Sequence, residues 1–346
     1  MSYKYLQILS SILFLFLLSC TQGMDQNMET NQNAPLSAIG EPIQIIMGGY
    51  GPSTTGFSLA LKQVGDRLEA RFGDQVEIKY VYNIMDLGYP ASDILWLVEN
   101  GLITIGYQSS SYMSAKVPEL GIADLPFIFS NTEEAREAVD GAFGDMMAES
   151  LEAKMNYRIL GFFENGFRHI SNRVRPVSLP SDLSGLNIRV LPSEVHKRTF
   201  ELLGAEPEIM DLTQVIARVK AGEIDAQENP FANTVTYGVH NFHKFHTETN
   251  HFYISRPIFA HQQSFDAWPK ELQDEIRLAF NDAVVFQRDL HIQEEIDSET
   301  AIEEAGGSII RISESEKQAF IDAVAPIYEE ARSKYSQELL SLVGIE

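Results

Sequence analysis

The sequence predicts an α/β protein in which parallel-rich sheets are flanked by helices. The first observation is an alternation: short apolar runs of strand length are followed by segments whose apolar residues recur at helical spacing. Such alternation places parallel strands between helices on both faces of a sheet. The second observation is length: a chain of 346 residues with an N-terminal leader retains about 300 residues, enough for one large or two medium domains.

Each element is predicted from its local pattern. Strand-like runs cover residues 43–47, 76–82, 102–107, 157–163, 186–191 and 223–227, and helical patterns cover residues 57–72, 91–100, 132–155, 194–203, 212–221 and 272–305. Thr54 and Thr55 can cap the first helix, because a threonine hydroxyl accepts an amide hydrogen at a helix start. The last helix contains no break residue and is unusually long for a compact domain.

The N-terminus predicts a lipoprotein signal peptide over residues 1–19. Lys4 precedes an apolar run, residues 8–18, that is too short to span a bilayer. The run ends in Leu-Leu-Ser-Cys, which resembles the lipobox of bacterial lipoproteins, so Cys20 is the predicted lipidation site. An ordinary secretory signal with an incidental thiol is the alternative. Residues 20–41 are polar and rich in Asn and Gln, which predicts a flexible tether from the membrane to a periplasmic domain.

Charge and cysteine content exclude several classes of protein. The formal net charge is -23, from 26 Lys and Arg against 49 Asp and Glu. This argues against binding to nucleic acid or to an anionic bilayer surface. It does not exclude an anionic ligand, because a single cleft can oppose the global sign. Cys20 is the only cysteine, so there is no internal disulfide framework, and no segment after the leader is apolar enough to span a membrane.

Arg189 is the strongest candidate binding residue. It interrupts residues 186–191, a run otherwise fit for a strand buried on both faces. Burying a guanidinium costs several kcal/mol of folding free energy unless an anion or hydrogen-bond acceptors lie next to it. Pro192 and Ser193 follow directly, so Arg189 lies at the carboxyl end of its strand, where open α/β sheets bind their ligands.

Other polar residues follow further predicted strands. Tyr50 and Thr55 follow the first strand, Gln108 and Ser109 the third, Arg168 the fourth and Asn229 the last. Each alone is unremarkable, since loops are polar, but together they predict a binding cleft at one edge of the sheet. Two alternatives stay open: an internal salt bridge for Arg168, and a helix cap for Asn229 before Pro230.

Nucleotide chemistry and common hydrolase motifs are excluded by their missing residues. The glycine loop around Tyr50 has Thr54 where a dinucleotide fingerprint needs its third glycine, and no acid ends the next strand. The chain has no G-x-S-x-G elbow and no phosphate-binding P-loop. The sequence therefore predicts no catalytic residue and no cofactor.

A run of histidines is a weaker candidate for a metal site. His240, His243, His246 and His251 fall within twelve residues. On a helix, positions three apart drift by about 60° per step, so three imidazoles converge poorly. Phe242 and other aromatic residues interleave with them. We therefore expect packed or solvated histidines rather than zinc ligands.

Several short sequence segments together resemble one known protein family. Residues 186–190 (LNIRV), 200–207 (FELLGAEP) and 222–230 (GEIDAQENP) are similar to the core pattern of DctP-type substrate-binding proteins of TRAP (tripartite ATP-independent periplasmic) transporters. Gly166-Phe167-Arg168 with Ser171-Asn172, Leu125-Pro126-Phe127, Thr249-Asn250-His251 and residues 268–273 also fit. The resemblance runs from about residue 43 to residue 335.

The resemblance implies a two-lobed, periplasmic-binding-protein-like fold with a long helix spanning both lobes. Lobe I would comprise residues 42–165 plus 254–290, and lobe II residues 166–253 plus 291–335. The arginine matching Arg189 typically grips a ligand carboxylate, for which its planar fork is suited. The arginine matching Arg168 often assists, and the asparagine matching Asn229 donates an amide hydrogen bond.

Two departures concern the ligand. Leu212 stands where the family often has an aromatic residue, and together with Tyr107 it predicts a partly apolar pocket. The Gln108-Ser109 loop lacks an acid that some sugar-acid binders carry, which argues against amino-sugar acids as ligands. The resemblance implies a non-enzymatic protein that captures a small organic acid and delivers it to TRAP permease subunits. A ligand-binding sensor lipoprotein is the alternative, with a metal-binding protein or hydrolase behind it.

Overall fold

The computed structural model describes residues 40–346, in which nine strands form one mixed sheet flanked by helices. The strands are β1 (Ile43–Gly48), β2 (Val76–Val81), β3 (Ile105–Tyr107), β4 (Tyr157–Asn172), β5 (Asn187–Val190), β6 (Glu206–Ile209), β7 (Ala226–Asn229), β8 (Phe245–His261) and β9 (Ser308–Arg311). The helices are α1 (Gly56–Phe72), α2 (Asp93–Glu99), α3 (Thr132–Asp140), α4 (Ala142–Lys154), α5 (Glu194–Leu202), α6 (Leu212–Lys220), α7 (Phe231–Thr236), α8 (Gln262–Ala267), α9 (Lys270–Glu304), α10 (Glu314–Val324), α11 (Pro326–Lys334) and α12 (Gln337–Ser341).

Two long antiparallel strands, β4 and β8, join the two ends of the sheet. The strand order is β2-β1-β3-β8-β4-β7-β5-β6, and β9 also pairs with β8. We call β1, β2 and β3, which attach to the C-terminal part of β8, the first half-sheet. We call β5, β6 and β7, which attach to the C-terminal part of β4, the second half-sheet.

The centre of the sheet differs from the predicted pattern. Strands within each half-sheet are parallel, as the alternation of strands and helices predicts. The β4–β8 pair between them is antiparallel, and β4 continues past Phe163 to Asn172. The expected strand end at Phe163 is therefore wrong, and Arg168 lies inside a strand. The apolar pattern breaks in β4 because register shifts near Gly161 and Gly166, both with positive φ, interrupt the alternation of faces.

The histidine run is also placed in different secondary structure. Residues 245–261 form the strand β8, and His240 lies in a short 3-10 turn, Val239–Asn241. The helical geometry assumed for these histidines is therefore wrong. The predicted helix over residues 132–155 is two helices, separated at Gly141. Strands β6 and β9 and the three C-terminal helices were not predicted.

The long helix is confirmed as α9, which has 35 residues. It packs against β4 and against two helices from opposite ends of the sheet, α1 after β1 and α7 after β7. Helix α1 begins as expected, with the Thr55 hydroxyl accepting the Ser58 amide at 3.3 Å. Within residues 40–346, no helix combines the length and apolar character that a membrane span needs.

The apolar core has two buried clusters. The larger includes Ile45, Ile105 and Phe259 near the first half-sheet, and the smaller includes Ile188 and Phe252 near the second. Residues at or just past the carboxyl ends of β1, β3, β5 and β7 line one common cavity, so both half-sheets contribute to the same site.

Candidate functional site

Side chains from both half-sheets meet in one narrow cleft. Its lining comprises Tyr50, Gln108, Ser109, Tyr112, Arg168, Arg189, Leu191, Leu212, Asn229, Asn233, Tyr237 and Arg256. Seven of the eight predicted binding residues are in this set, with Thr55 the exception. The free space between them is about 10 Å³, room for roughly one water molecule. The structure therefore shows a closed cleft.

Arg189 is buried in this cleft, and its hydrogen-bond partners are neutral. Its side chain is 1% exposed. Nε donates to the Met210 carbonyl at 2.9 Å, and Nη2 donates to the Tyr112 hydroxyl at 3.3 Å. These bonds use two of the five N–H donors of a guanidinium. Among residues 40–346, Arg189 forms no ion pair with a carboxylate within 4.0 Å, in contrast to most of the other arginines.

Arg168 contrasts with Arg189, because it already has a buried carboxylate. Its Nε donates to Oε2 of Glu228, and Nη2 donates to Oε1 of Glu228 at 3.0 Å. Both side chains are almost fully buried. Burial alone would raise the pKa of Glu228, but the charge and hydrogen bonds of Arg168, together with the nearby His251 ring at 3.8 Å, outweigh it and hold this pKa well below its usual range. The internal salt bridge left open for Arg168 is thus formed.

Asn229 is the last residue of β7 and lies beside Arg168. Its Oδ1 accepts from Arg168 Nη2 at 3.0 Å, and its Nδ2 donates to Gln227 Oε1 at 2.7 Å. The helix-cap alternative is wrong, since Pro230 occupies the cap position of α7 and makes no side-chain cap bond.

The backbone amides at the start of α7 instead donate hydrogen bonds to a carboxylate that is distant in the chain. Glu295 on α9 accepts from the Phe231 amide at 3.2 Å and from the Ala232 amide at 2.8 Å. Burial raises the pKa of Glu295 to about 7, although these two hydrogen bonds act in the opposite direction. More than 60 residues separate the partners in the chain, so no local pattern could have identified the contact.

The first half-sheet contributes neutral groups. Gln108 is fully buried and donates to the Ala91 carbonyl at 2.8 Å, while its Oε1 accepts from the Ser109 amide at 2.9 Å. Tyr112, in the 3-10 turn Ser110–Met113, bridges the cleft: its hydroxyl also accepts from the Leu212 amide at 3.1 Å. Gln108 is thus fixed within its own end of the sheet, whereas Tyr112 reaches across.

A second set of contacts crosses the cleft at the start of α6. The Ser92 amide donates to Asp211 Oδ2 at 3.0 Å, and the Ala91 amide donates to Thr213 Oγ1 at 3.0 Å. Asp211 also caps α6, because its Oδ1 accepts from the Thr213 amide at 2.8 Å. We call these four residues the cross-cleft clasp. They join the segment before α2 to α6.

Thr55 and Leu212 are placed differently from the polar cleft residues. Thr55 caps α1 and lines an adjacent cavity together with Tyr237 and Glu294. Leu212 is the first residue of α6, is 6% exposed and joins the larger apolar cluster. The cleft therefore has one apolar wall, and Thr55 lies outside it.

Five lining residues were missed from sequence: Tyr112, Leu191, Asn233, Tyr237 and Arg256. Arg256 carried a usable signal, because it interrupts the apolar strand sequence Tyr-Ile-Ser-Arg-Pro-Ile-Phe just as Arg189 interrupts its own strand. The other four follow from tertiary placement. Asn233 and Tyr237 come from α7 and the turn after it, and nothing local marks them as facing the cleft.

His243, just before β8, and His246 and His251 within β8 are buried and hydrogen-bonded. His243 Nδ1 lies 3.0 Å from the Ser171 hydroxyl, His246 Nε2 lies 3.0 Å from the His243 carbonyl, and His251 Nδ1 lies 2.6 Å from the Thr249 hydroxyl. Burial lowers the pKa of His243 to about 3 and that of His246 to about 4, so both are neutral near pH 7. In the part of the chain that the structure describes, no three His, Cys, Asp or Glu side chains are grouped as metal ligands.

Known proteins share this architecture. A chain from Advenella mimigardefordensis, a sugar-acid binding protein in complex with galactonate, superposes with a TM-score of 0.83 at 26% identity and covers 88% of this chain and 97% of its own. The 2,3-diketo-L-gulonate-binding periplasmic protein YiaO of Escherichia coli is 29% identical over 282 residues, 81% of this chain and 84% of its own. The C4-dicarboxylate-binding periplasmic protein DctP of Rhodobacter capsulatus is 26% identical, over 66% of this chain and 68% of its own.

The family assignment rests on most of the chain. Residues 47–334 match the family model DctP, described as bacterial extracellular solute-binding protein, family 7. This range contains every residue that lines the cleft. The relatives are periplasmic solute-binding proteins of transport systems rather than enzymes. The chain therefore belongs to the DctP family of bacterial extracellular solute-binding proteins.

Proposed function

We propose that this protein captures a small organic acid outside the cytoplasm and delivers it to the permease subunits of a TRAP transporter. The observation that carries the proposal is Arg189, a buried arginine in a closed cleft whose own partners are neutral. A desolvated cation of this kind is stabilised when a ligand carboxylate completes its hydrogen bonds. The bound acids named for the family's relatives, galactonate among them, support the same class of ligand.

We propose distinct roles for the predicted binding residues. Arg189 holds the carboxylate with two prongs, a geometry that an ammonium group cannot reproduce. Arg168 assists through the donors that its pair with Glu228 leaves free, and Asn229 supports it at 3.0 Å. Tyr50, Gln108 and Ser109 approach the ligand from the first half-sheet, and Leu212 provides an apolar wall.

Ligand capture requires that the cleft open and close. We propose that the two half-sheets belong to two lobes, residues 42–165 plus 254–290 and residues 166–253 plus 291–335, that move relative to each other. Strands β4 and β8 and helix α9 are the connections that would bend. A ligand that contacts both lobes then shifts the population toward the closed state. Small-angle scattering with and without a bound acid tests this: equal radii of gyration at saturation would contradict it.

We further propose that Cys20 is lipidated and that residues 20–41 tether the domain to a membrane. Cys20 and all but the last two residues of the tether lie outside the described residues, so the proposal rests on the sequence pattern. Stable anchoring takes more than one acyl chain, and a lipobox cysteine would supply the attachment point. Replacing Cys20 with Ser in the full chain should move the protein from the detergent phase to the aqueous phase. Unchanged partitioning would argue against the anchor.

The binding function is tested by a thermal-shift screen of organic acids against the full chain. We expect at least one small carboxylic acid to raise the melting temperature in a concentration-dependent way, because a ligand that binds only the folded state stabilises it. The Arg189→Ala variant should lose most of this shift. Uncharged sugars and amines of similar size serve as controls. A screen in which no acid shifts the wild-type protein would contradict the proposal.

A further inference from the structure

A large groove lies on the opposite face of β4 from the ligand cleft. Its volume is about 800 Å³, and we call it the back groove. The Arg168 side chain lines the cleft, whereas its neighbours Phe167 and His169 line the groove. Because successive side chains of a strand point to opposite faces, the two sites lie back to back. The other walls come from α3, the N-terminal part of β8, α9 and Phe231 of α7.

Acidic side chains dominate the back groove. Its charged lining consists of Glu133, Glu164, Glu248, Glu295, Glu299 and Arg136. Arg136 Nε lies 2.5 Å from Glu164 Oε2, and Arg311 of β9 pairs with both Glu248, at 3.2 Å, and Glu299, at 2.5 Å. Five carboxyl groups thus share two arginines, which leaves an excess of three acids. This excess favours a ligand with more than one positive charge.

An unpartnered histidine distinguishes the back groove from the rest of the acidic surface. His169 lines the groove and is 7% exposed, and its Nδ1 is buried without a hydrogen-bond partner in residues 40–346. Burial lowers the pKa of His169 to about 3, so the ring is neutral near pH 7 and can accept a hydrogen bond through Nδ1. A buried polar atom without a partner is unfavourable. An ammonium group in the groove would supply the missing donor.

Two phenylalanines give the back groove an apolar wall. The ring centre of Phe231 lies 4.2 Å from that of His169, and the ring of Phe167 packs against Tyr253 at 5.3 Å. Ring faces attract organic ammonium groups, and methylene groups gain free energy by burial against apolar surface. In residues 40–346, no three His, Cys, Asp or Glu side chains are grouped as metal ligands. The lining therefore favours an organic cation over a metal ion.

We propose that the back groove is a second ligand site, which binds a linear organic polyamine. Its ammonium groups lie at the glutamates and at His169, and its methylene chain lies along Phe167 and Phe231. No residue that lines the groove also lines the cleft. The site is therefore separate from acid capture by Arg189 and does not depend on it.

The first test is calorimetry on the full chain with spermidine, Mg²⁺ and butane-1,4-diol. It is done at about 150 mM NaCl, because salt screens non-specific attraction to a protein of net charge -23. Spermidine should saturate at one molecule per chain and bind at least about tenfold more tightly than Mg²⁺, since only the amine gains contacts with the rings. The uncharged diol should not bind.

Matched double variants locate the site. Glu133→Gln with Glu299→Gln removes two acids of the groove and should weaken spermidine binding about fivefold or more. Glu303→Gln with Glu304→Gln changes the net charge equally at two exposed positions of α9 outside the groove, so its affinity should stay within about twofold of wild type. His169→Phe keeps a ring but removes the acceptor, and should weaken binding about threefold or more.

Glu295 provides an independent signature of where the amine binds. Burial raises the pKa of Glu295 to about 7, so near pH 7 its carboxyl group holds about half a proton. A nearby ammonium favours the charged carboxylate, so binding should release up to about half a proton. Calorimetry in two buffers of different ionisation enthalpy measures this release, which should be absent in Glu295→Gln.

Three results would overturn the polyamine site. These are equal affinity for spermidine and Mg²⁺, equal weakening in the two double variants, and equal proton release in wild type and Glu295→Gln. Arg189→Ala should bind spermidine as wild type does, so the loss of acid binding and the loss of amine binding are distinguishable. If a groove variant does not fold, the comparison of spermidine with Mg²⁺ on the wild-type protein still decides the question.

Discussion

The two half-sheets bring different chemistry to the cleft. From the second half-sheet, β5 contributes Arg189 and β7 contributes Asn229, next to Arg168 on β4. From the first come neutral amide, hydroxyl and aromatic groups: Tyr50, Gln108, Ser109 and Tyr112. An acidic protein thus concentrates its buried positive charge on one side of the cleft and at its centre. If the proposed closure is right, we expect an anion to associate first with the second half-sheet and the first half-sheet to close over it.

Two arginines on the same side of the cleft, Arg168 and Arg189, also differ from each other. Arg168 is balanced by Glu228 and is part of the folded framework. Arg189 has neutral partners, the Met210 carbonyl and the Tyr112 hydroxyl, and is the residue that we propose binds the ligand carboxylate. Two residues with similar burial should therefore differ in what their loss affects: stability for Arg168, and affinity for Arg189.

The largest expected effect is on binding by Arg189→Ala. Removing one partner of a desolvated charge pair costs about 2–5 kcal/mol, or roughly 30-fold to several thousand-fold in affinity. Arg189→Lys should also bind poorly, because an ammonium lacks the two-pronged geometry. Calorimetry on folded variants measures it with any acid that the wild-type protein binds. Near-normal affinity in Arg189→Ala, at an unchanged melting temperature, would mean that the clamp lies elsewhere.

The next effect is on stability, in Arg168→Ala. This change leaves the Glu228 carboxylate buried without its partner, which costs about 3–5 kcal/mol. Arg189→Ala removes no carboxylate partner, so its free energy of unfolding should stay close to that of the wild-type protein. Urea unfolding at pH 7.5 compares the two variants. If both were equally stable, the distinction between the two arginines would be lost.

The Arg168–Glu228 ion pair also predicts how the free energy of unfolding depends on pH. In the wild-type protein the folded pKa of Glu228 is depressed, so its stabilising contribution is present at neutral pH and is lost as the pH falls below its ordinary range. Without Arg168, burial should raise that pKa, so the sign reverses and Arg168→Ala should recover stability relative to wild type between pH 7.5 and 5. A deficit that is constant with pH would contradict this.

A smaller effect is expected from the cross-cleft clasp. Thr213→Val removes the hydrogen bond from the Ala91 amide, while Asp211→Ala removes both the bond from Ser92 and the cap of α6. A hydrogen bond is worth about 0.5–1.5 kcal/mol, so Thr213→Val should weaken ligand affinity by about 2- to 10-fold and favour the open form. Small-angle scattering on the ligand-free variant should show a larger radius of gyration. Identical scattering and affinity would exclude the clasp as a determinant of closure.

The smallest effect concerns two neighbouring acids of α9. Glu294 accepts the Gly56 amide at the start of α1, and Glu295 accepts the amides at the start of α7, so adjacent residues fix helices at opposite ends of the sheet. Because burial raises the pKa of Glu295 to about 7 from 4.5, the folded state retains a proton between these values that the unfolded chain releases. This group therefore makes stability fall as the pH rises through that window.

The Glu295→Gln variant tests whether this carboxyl group makes stability fall as the pH rises. The variant has no titrating group at this place, so its free energy of unfolding should improve relative to that of wild type between pH 5 and 7.5. Glu303→Gln, an exposed position on the same helix, is the control and should keep a constant difference. A constant difference for Glu295→Gln as well would show that the carboxyl group titrates normally.

Much of the fold was readable from local pattern. Apolar periodicity placed β1, α1, β2, β5 and α9 within a few residues of their observed bounds, because local periodicity reports which face of an element is buried. It did not give the antiparallel β4–β8 pair, whose glycines and register shifts break the alternation. The pairing of strands depends on neighbours that are distant in the chain. The local pattern of apolar residues contains no information about which strand those neighbours belong to.

For the candidate site, too, some features could be predicted from the sequence and others could not. The sequence by itself determined that Arg189 is a charge held where apolar residues belong, because burial of a strand follows from its own composition. It also determined the polar strand ends that line the cleft. Only the tertiary structure decided that Glu228 neutralises Arg168, that Glu295 caps α7, and that Arg256 lies in the same cleft as Arg189. The physical reason is that burial is encoded locally, whereas the partner of a buried charge is chosen by the fold that brings distant residues together.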